Sequence, residues 1–200
     1  PTLNKNDIRV VNSSTFVQEA KEWEIATDET QVSFDIVALY PSVPIKRAID
    51  AITQLLSDDE SDLRTRTNLS VTDIRKLMEI SLGTCYFVWN SKYYLIEDSG
   101  PIGLSLMVVV AEGFIQHLEK IAIGIAVSRN IAPKSFRRYV DDSHVRFANS
   151  EQPLEFLQIL NDQDEQIEYT MESEVNGELA FLDINICNNA SGSYEFKVFR

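Results

Sequence analysis

Residues 136–147 read FRRYVDDSHVRF. Apolar residues flank two adjacent aspartates, and the runs on either side have the character of two β-strands joined as a hairpin. Side by side, Asp141 and Asp142 repel each other and bring no apolar surface to a core. Along a straight strand they would face opposite sides of the sheet. A tight turn at or beside them leaves both near the hairpin tip. Taken alone, an acidic turn is simply a solvated turn, because aspartate favours such positions.

A second acidic position stands out upstream. Residues 31–39, QVSFDIVAL, have the β-branched, apolar pattern of a buried strand, and Asp35 sits in the middle of it. A lone carboxylate there is costly to bury unless something neutralises it. It could face water at the strand end, pair with an arginine, or meet the hairpin carboxylates and share a divalent cation. Hard oxygen ligands suit Mg²⁺, which one or two carboxylates hold together with substrate phosphates. Two such ions about 4 Å apart activate an attacking oxygen and stabilise a leaving one, so the reaction class would be phosphoryl transfer.

The rest of the chain gives these loci a setting. YPSVP ends the strand, since Pro41 and Pro44 are excluded from a sheet interior, and Pro41 biases Tyr40 towards an extended backbone. Ile45, Ile49, Ile52 and Leu56 mark an amphipathic helix, followed by a polar loop. Ser70 and Asp73 form a capping box before a second helix carrying Ile74, Leu77 and Met78. YFVWNSKYYLI at 86–96 reads as a hairpin about Asn90-Ser91, and a long apolar helix is expected over about 104–126. Residues 12–24 suggest a short helix with Phe16, Ala20 and Trp23 on one side, and Leu154, Leu157 and Leu160 suggest another. IEYTM, LAFLDINI and YEFKVF are expected as three closing strands. Strands and helices mix without βαβ alternation, so the class is α+β: one antiparallel sheet covered by helices on one face.

Composition bounds the function. The chain has 200 residues, 44% hydrophobic and 24% charged, as in globular domains. The longest apolar run, LSLMVVVA at 104–111, is too short to span a membrane, and no stretch resembles a signal peptide. The chain opens on Pro1 and stops within YEFKVFR, which is expected of a piece of a longer polypeptide. Cys85 and Cys187 show no metal-ligand spacing and are expected to be buried thiols in a reducing compartment. The net charge of −13 is opposite to that of a freestanding nucleic-acid binder. From Ala148 to Phe196 there is no Lys or Arg, while Arg129, Lys134, Arg137, Arg138 and Arg146 cluster around the hairpin. An acidic surface turned away from any polyanion would satisfy both facts.

These residues together resemble the palm of reverse transcriptases. SFDIVALYPSVPI (33–45) looks like motif A, RYVDD within 137–146 like motif C, and IGLSLMVVVAEGFIQHLE within 99–119 like the motif B loop and helix. IEYTMESEVNGELAFLDINI, in 166–200, resembles the segment that closes the palm in Penelope-like retroelements. The blocks come in the family's order. The resemblance implies an RNA-directed DNA polymerase palm over 31–200, with 1–30 the end of the fingers or a connector, and with fingers and thumb supplied by the same polypeptide. It implies two Mg²⁺ ions (Mn²⁺ as substitute) held by Asp35, Asp141 and Asp142. Tyr40 and Ile36 would meet the incoming nucleotide, with Tyr40 under its sugar and excluding a 2′-hydroxyl. Gly103 would allow close approach of the backbone to nucleotide or template, and Tyr139, Val140 and Arg138 would border primer and template. The partners implied are an RNA template, a DNA primer and deoxynucleoside triphosphates, and the location is intracellular, in nucleus or cytoplasm.

The sequence also departs from the family. Ser-Pro-Leu-Ser-Pro usually follows the motif B glycine, whereas LSLMV stands at 104–108, and Glu168 occupies a position where many relatives have Lys. An alternative therefore accompanies the polymerase reading: a catalytically decayed retroelement remnant acting as an acidic interaction domain. The bland readings are preferred for His144 and His117, as packed or surface residues, and for Phe87, Trp89, Tyr93 and Tyr94, as core aromatics. For Arg137 and Arg138, a solvated strand-edge pair stands beside a phosphate contact.

Overall fold

The structure, a computed structural model, describes residues 8–189 and 192–198. Residues 1–7 of the expected 1–30 segment, and 190, 191, 199 and 200 of the closing segment, lie outside the described residues. The chain divides into two compact units, one comprising the described residues up to Val37 with those from Ile121 onward, the other Ala38–Lys120.

The first unit is built on a four-stranded antiparallel sheet of β1 (Thr30–Ile36), β4 (Ser135–Tyr139), β5 (Asp142–Phe147) and β6 (Tyr169–Ser173), in the order β4-β5-β1-β6. Alternation along β1 sends Val32, Phe34 and Ile36 to one face, where all are buried. Helix α7 (Gln152–Asn161) lies there, its Phe156 ring packed on Phe34, Phe136 and Phe147. The buried stripe of α7 is Phe156, Ile159 and Leu160, whereas Leu154 points to solvent, so the leucine spacing alone misplaced the apolar face.

The opposite face carries Gln31, Ser33 and Asp35 of β1 and Asp142, His144 and Arg146 of β5. Helix α1 (Ser13–Ala20) and a three-stranded sheet of β7 (Glu178–Phe181), β8 (Ile184–Asn188) and β9 (Tyr194–Val198) pack over part of it. There His144 is buried among Phe16, Trp23, Phe181 and Tyr194. The segment LAFLDINI is thus two strands, folded about Leu182-Asp183 with Leu182 at φ +56°. It reads as one strand because the turn holds neither glycine nor asparagine.

The second unit contains a helical turn α2 (Leu39–Ser42), α3 (Ile45–Asp58), α4 (Glu60–Arg66), α5 (Val71–Gly83) and the hairpin β2 (Tyr86–Trp89) and β3 (Lys92–Leu95). It also holds the first part of α6 (Ser105–Ser128). The polar loop expected after α3 is helix α4, braced by Arg64–Glu60 and Arg66–Asp62 pairs one turn apart. The capping box closes as expected, with Ser70 and Asp73 exchanging hydrogen bonds. The β2–β3 turn has both Asn90 and Ser91 at positive φ, as a two-residue hairpin turn prefers. Its aromatics do not form a core: Phe87, Trp89, Tyr93 and Tyr94 are all exposed, because this sheet has only two strands. Cys187 is buried and Cys85 is partly exposed, both as free thiols. Among the described residues no helix is long and apolar enough to cross a membrane.

Candidate active site

Asp35 lies one residue before the end of β1, exposed between buried Phe34 and Ile36. Its partner across the β1–β5 ladder is Asp142. Residues directly opposite in an antiparallel pair project from the same face, so two carboxylates stand side by side where like charges are destabilising.

The third carboxylate comes from the β4–β5 turn. Tyr139 and Asp142 are the last pair of the ladder, leaving Val140 and Asp141 as a two-residue connection. Such hairpins favour a left-handed residue to match the twist of the strands, normally Gly, Asn or Asp. Here it is Val140, at φ +58°, a genuine outlier for a β-branched side chain. Asp141 follows at the exposed tip, and its carbonyl accepts the Ile36 N–H at 3.1 Å, tying the turn to the end of β1.

The charges feel one another. Burial pushes the Asp142 carboxyl up to about 6, and the charges of Asp35 and Asp141 add to the rise. The Leu182 N–H opposes it, donating to Oδ2 at 3.4 Å. Asp35 is also raised, by burial first and then by Asp141 and Glu172. Glu172 pairs with Ser33 on β6, one step along the same face from Asp35. Sequence reasoning missed it, because its place depends on the β1–β6 pairing, which no motif states.

Among the described residues no group of three or more His, Cys, Asp or Glu side chains is arranged to hold a metal ion. The three aspartates are an open set of hard oxygen donors at one end of a sheet, and Asp35 and Asp142 have raised proton affinity. That chemistry fits Mg²⁺, which takes one or two carboxylates and keeps its remaining positions for water and phosphate.

The second unit contributes a separate feature. Tyr40 is in the helical turn α2 and not in extended backbone, and Pro41 is accommodated in the first turn, where its missing N–H costs nothing. Tyr40 lines a cavity of about 180 Å³ with Pro101, Gly103, Leu104, Ser105, Met107 and Val108. The close approach within this unit is at Gly100, which donates its N–H to the Tyr40 carbonyl at 3.0 Å. A Cβ there would lie 2.2 Å from that oxygen. A Cβ at Gly103 would meet nothing within 4 Å, and what this position needs is its φ of +95°. Gly100 was legible only as part of a loop.

The remaining expected residues fall out differently. Tyr139 is exposed and Val140 half-buried beside the carboxylates. Ile36 is buried with its N–H engaged by Asp141. Arg138 is wholly buried and donates to the Val140 carbonyl, so it presents no surface to a phosphate. Arg137 pairs with Glu19, Nε to Oε1 at 2.8 Å, so the two arginines are not a solvated pair. His144 is buried beside the acidic residues but faces away into aromatics, its Nε2 3.0 Å from Gln31 Oε1. Burial, with Arg146 and Arg137 nearby, brings it down to about 3, so it stays neutral.

No protein-family model matches the chain, and no curated protein matches it in sequence. Solved structures do. Telomerase from Candida albicans, in complex with the TWJ fragment of telomeric RNA, superposes with a TM-score of 0.70 over 96% of this chain at 11% identity. Apo telomerase from Candida tropicalis gives 0.66 over 95% at 12% identity. The BmCPV RNA-dependent RNA polymerase at elongation state gives 0.65 over 90% at 13% identity. This chain spans 37% of the length of each of these telomerases and 17% of that of the viral polymerase. At such identities the likeness is one of fold. The chain has the α+β fold found in the palm of nucleic-acid polymerases.

Proposed function

We propose that this chain carries the catalytic palm of an RNA-directed DNA polymerase of Penelope-like type, extending a primer 3′-hydroxyl with deoxynucleotides on an RNA template. The observation that supports it most is the placement of Asp35 opposite Asp142 with Asp141 on the adjoining turn. Asp35 and Asp141 would hold two Mg²⁺ ions, or Mn²⁺ in their place, with Asp142 as the third acidic member. When bound, such ions supply charge stabilisation to both the attacking and the leaving oxygen. The chain's own share is positioning: the turn directs Asp141, and β1 directs Asp35. Tyr139 and Val140 would border the primer end. The cavity along Tyr40, at about 180 Å³, is below the usual 300–1,000 Å³ of a ligand pocket, so we assign it a sugar and not a whole nucleotide. Fingers and thumb would come from the rest of the polypeptide, acting in the nucleus or cytoplasm.

The test is primer extension by the complete protein on an RNA template. Mg²⁺-dependent incorporation that disappears in Asp35→Asn and in Asp141→Asn supports the reading; incorporation insensitive to both removes it. The second reading, a decayed remnant serving as an acidic interaction domain, draws on the net charge of −13 and on Leu104–Val108 in place of the proline-bearing loop. It predicts no incorporation with either Mg²⁺ or Mn²⁺.

A further inference from the structure

Arg138 heads the wholly buried side chains by size. Removing a guanidinium from water is expensive, so a fold that does so uses it for something specific. Its Nη1 donates to the Val140 carbonyl at 2.7 Å. The backbone carrying it is fixed on both sides. β5 pairs with it at Ser143, while on the outer side Arg138 N–H donates to Ile8 O at 2.8 Å and Arg138 O accepts from Val10 N–H at 2.7 Å.

Val140 is the left-handed residue of the turn, and strain of that kind persists only where the surroundings over-determine it. The carbonyl that Arg138 grips belongs to the peptide plane entering Asp141. The plane leaving Asp141 is gripped by the Ile36 N–H. Both planes on which the Asp141 side chain depends are therefore pinned, one by a side chain and one by a strand end.

We propose that Arg138 is a positioning residue for Asp141: through the Val140 carbonyl it holds the strained turn, and so sets the direction of the carboxylate before any cation arrives. This rests on the reading of Asp141 as a cation ligand. Arg138 acts here through geometry, since the raised proton affinities of Asp35 and Asp142 trace to burial and to neighbouring carboxylates.

The experiment uses Arg138→Met, Val140→Gly and their combination in the complete protein. Thermal melting is read together with Mn²⁺ binding followed by electron paramagnetic resonance, without nucleic acid. Glycine adopts positive φ without strain, so Val140→Gly relieves what Arg138 holds. The expected result is that Arg138→Met weakens Mn²⁺ binding about 10- to 100-fold and lowers the melting temperature, and that Val140→Gly reverses part of both losses. Unchanged Mn²⁺ binding in a folded Arg138→Met variant overturns the proposal. So do additive melting effects, including failure to fold in both backgrounds alike. If the unaltered protein binds no Mn²⁺, the polymerase reading fails, and the clamp is still judged by the coupling in the melts.

Discussion

Asp35 and Asp142 face each other across adjacent strands, on the side of the sheet away from α7, and the Asp35 charge adds to the cost of ionising Asp142. The sheet thus holds close together two charges that the unfolded chain would leave apart in water. In the metal-free protein this is a liability, and it gives the stability a measurable dependence on pH.

Asp142 ionises at about 6 in the fold against 3.8 as the ordinary value. Between those values the folded state binds more protons than the unfolded one, so this group destabilises the fold as pH rises from about 4 to 6. The loss is on the order of 2–3 kcal/mol and is complete above that window. Asp142→Asn is expected to raise the melting temperature of the metal-free protein at pH 7.5 and to give no gain at pH 4. The amide oxygen can still accept from Leu182. Added Mg²⁺ should narrow the gap at pH 7.5 by stabilising the unaltered protein, with all three carboxylates, more than the variant.

His144 tilts the profile the other way. Held near 3 against 6.5, it contributes stability that is fully present above 6.5 and is lost as pH falls towards 3. From about 4 to 6 the two slopes oppose, so the metal-free protein should show a nearly flat stability profile there. In Asp142→Asn the histidine slope is opposed only by the smaller contribution of Asp35, and stability should climb with pH across that window. Chemical denaturation at stepped pH values measures both; a flat profile in the variant would refute the account.

Gly100 and Gly103 should fail for different reasons. Gly100→Ala places a Cβ against a backbone carbonyl and the Met107 thioether, and should cost about 1–3 kcal/mol through overpacking. Gly103→Ala has open space but a φ of +95°, and should cost about 1 kcal/mol or more through strain. Replacing Met107 by a smaller residue should ease only part of the first defect, since the Tyr40 carbonyl stays in place. Urea melts of the paired variants distinguish the mechanisms.

Tyr40 is half-buried on the wall of a cavity. Tyr40→Ala should therefore cost less than the roughly 3–5 kcal/mol of a fully buried aromatic. It should also relax the preference for deoxynucleotides in primer extension by the complete protein. A variant with lowered activity on both sugars and an unchanged ratio would make Tyr40 an ordinary packing residue.

What the sequence disclosed followed from how locally each feature is encoded. The Asn90-Ser91 turn, the Ser70–Asp73 capping box and the YVDD hairpin each depend on a few consecutive residues, and each is where it was expected. Helix α4 was missed although its i,i+4 charge pairs were available, because the reading followed apolar periodicity. The β7–β8 turn was missed because Leu182 takes a left-handed conformation that leucine rarely adopts. Glu172 and the burial of Arg138 were beyond reach, for both are set by strands and backbone far apart in the chain.

The pairing of Ile8 and Val10 with Arg138 has a practical side. β4 is the outermost strand of its sheet, and an exposed strand edge is a template for pairing with another chain. These two residues occupy that edge beside the turn carrying Asp141. A fragment beginning at residue 31, where the motifs begin, would bare it, and such a fragment should self-associate at concentrations where the longer chain remains monomeric.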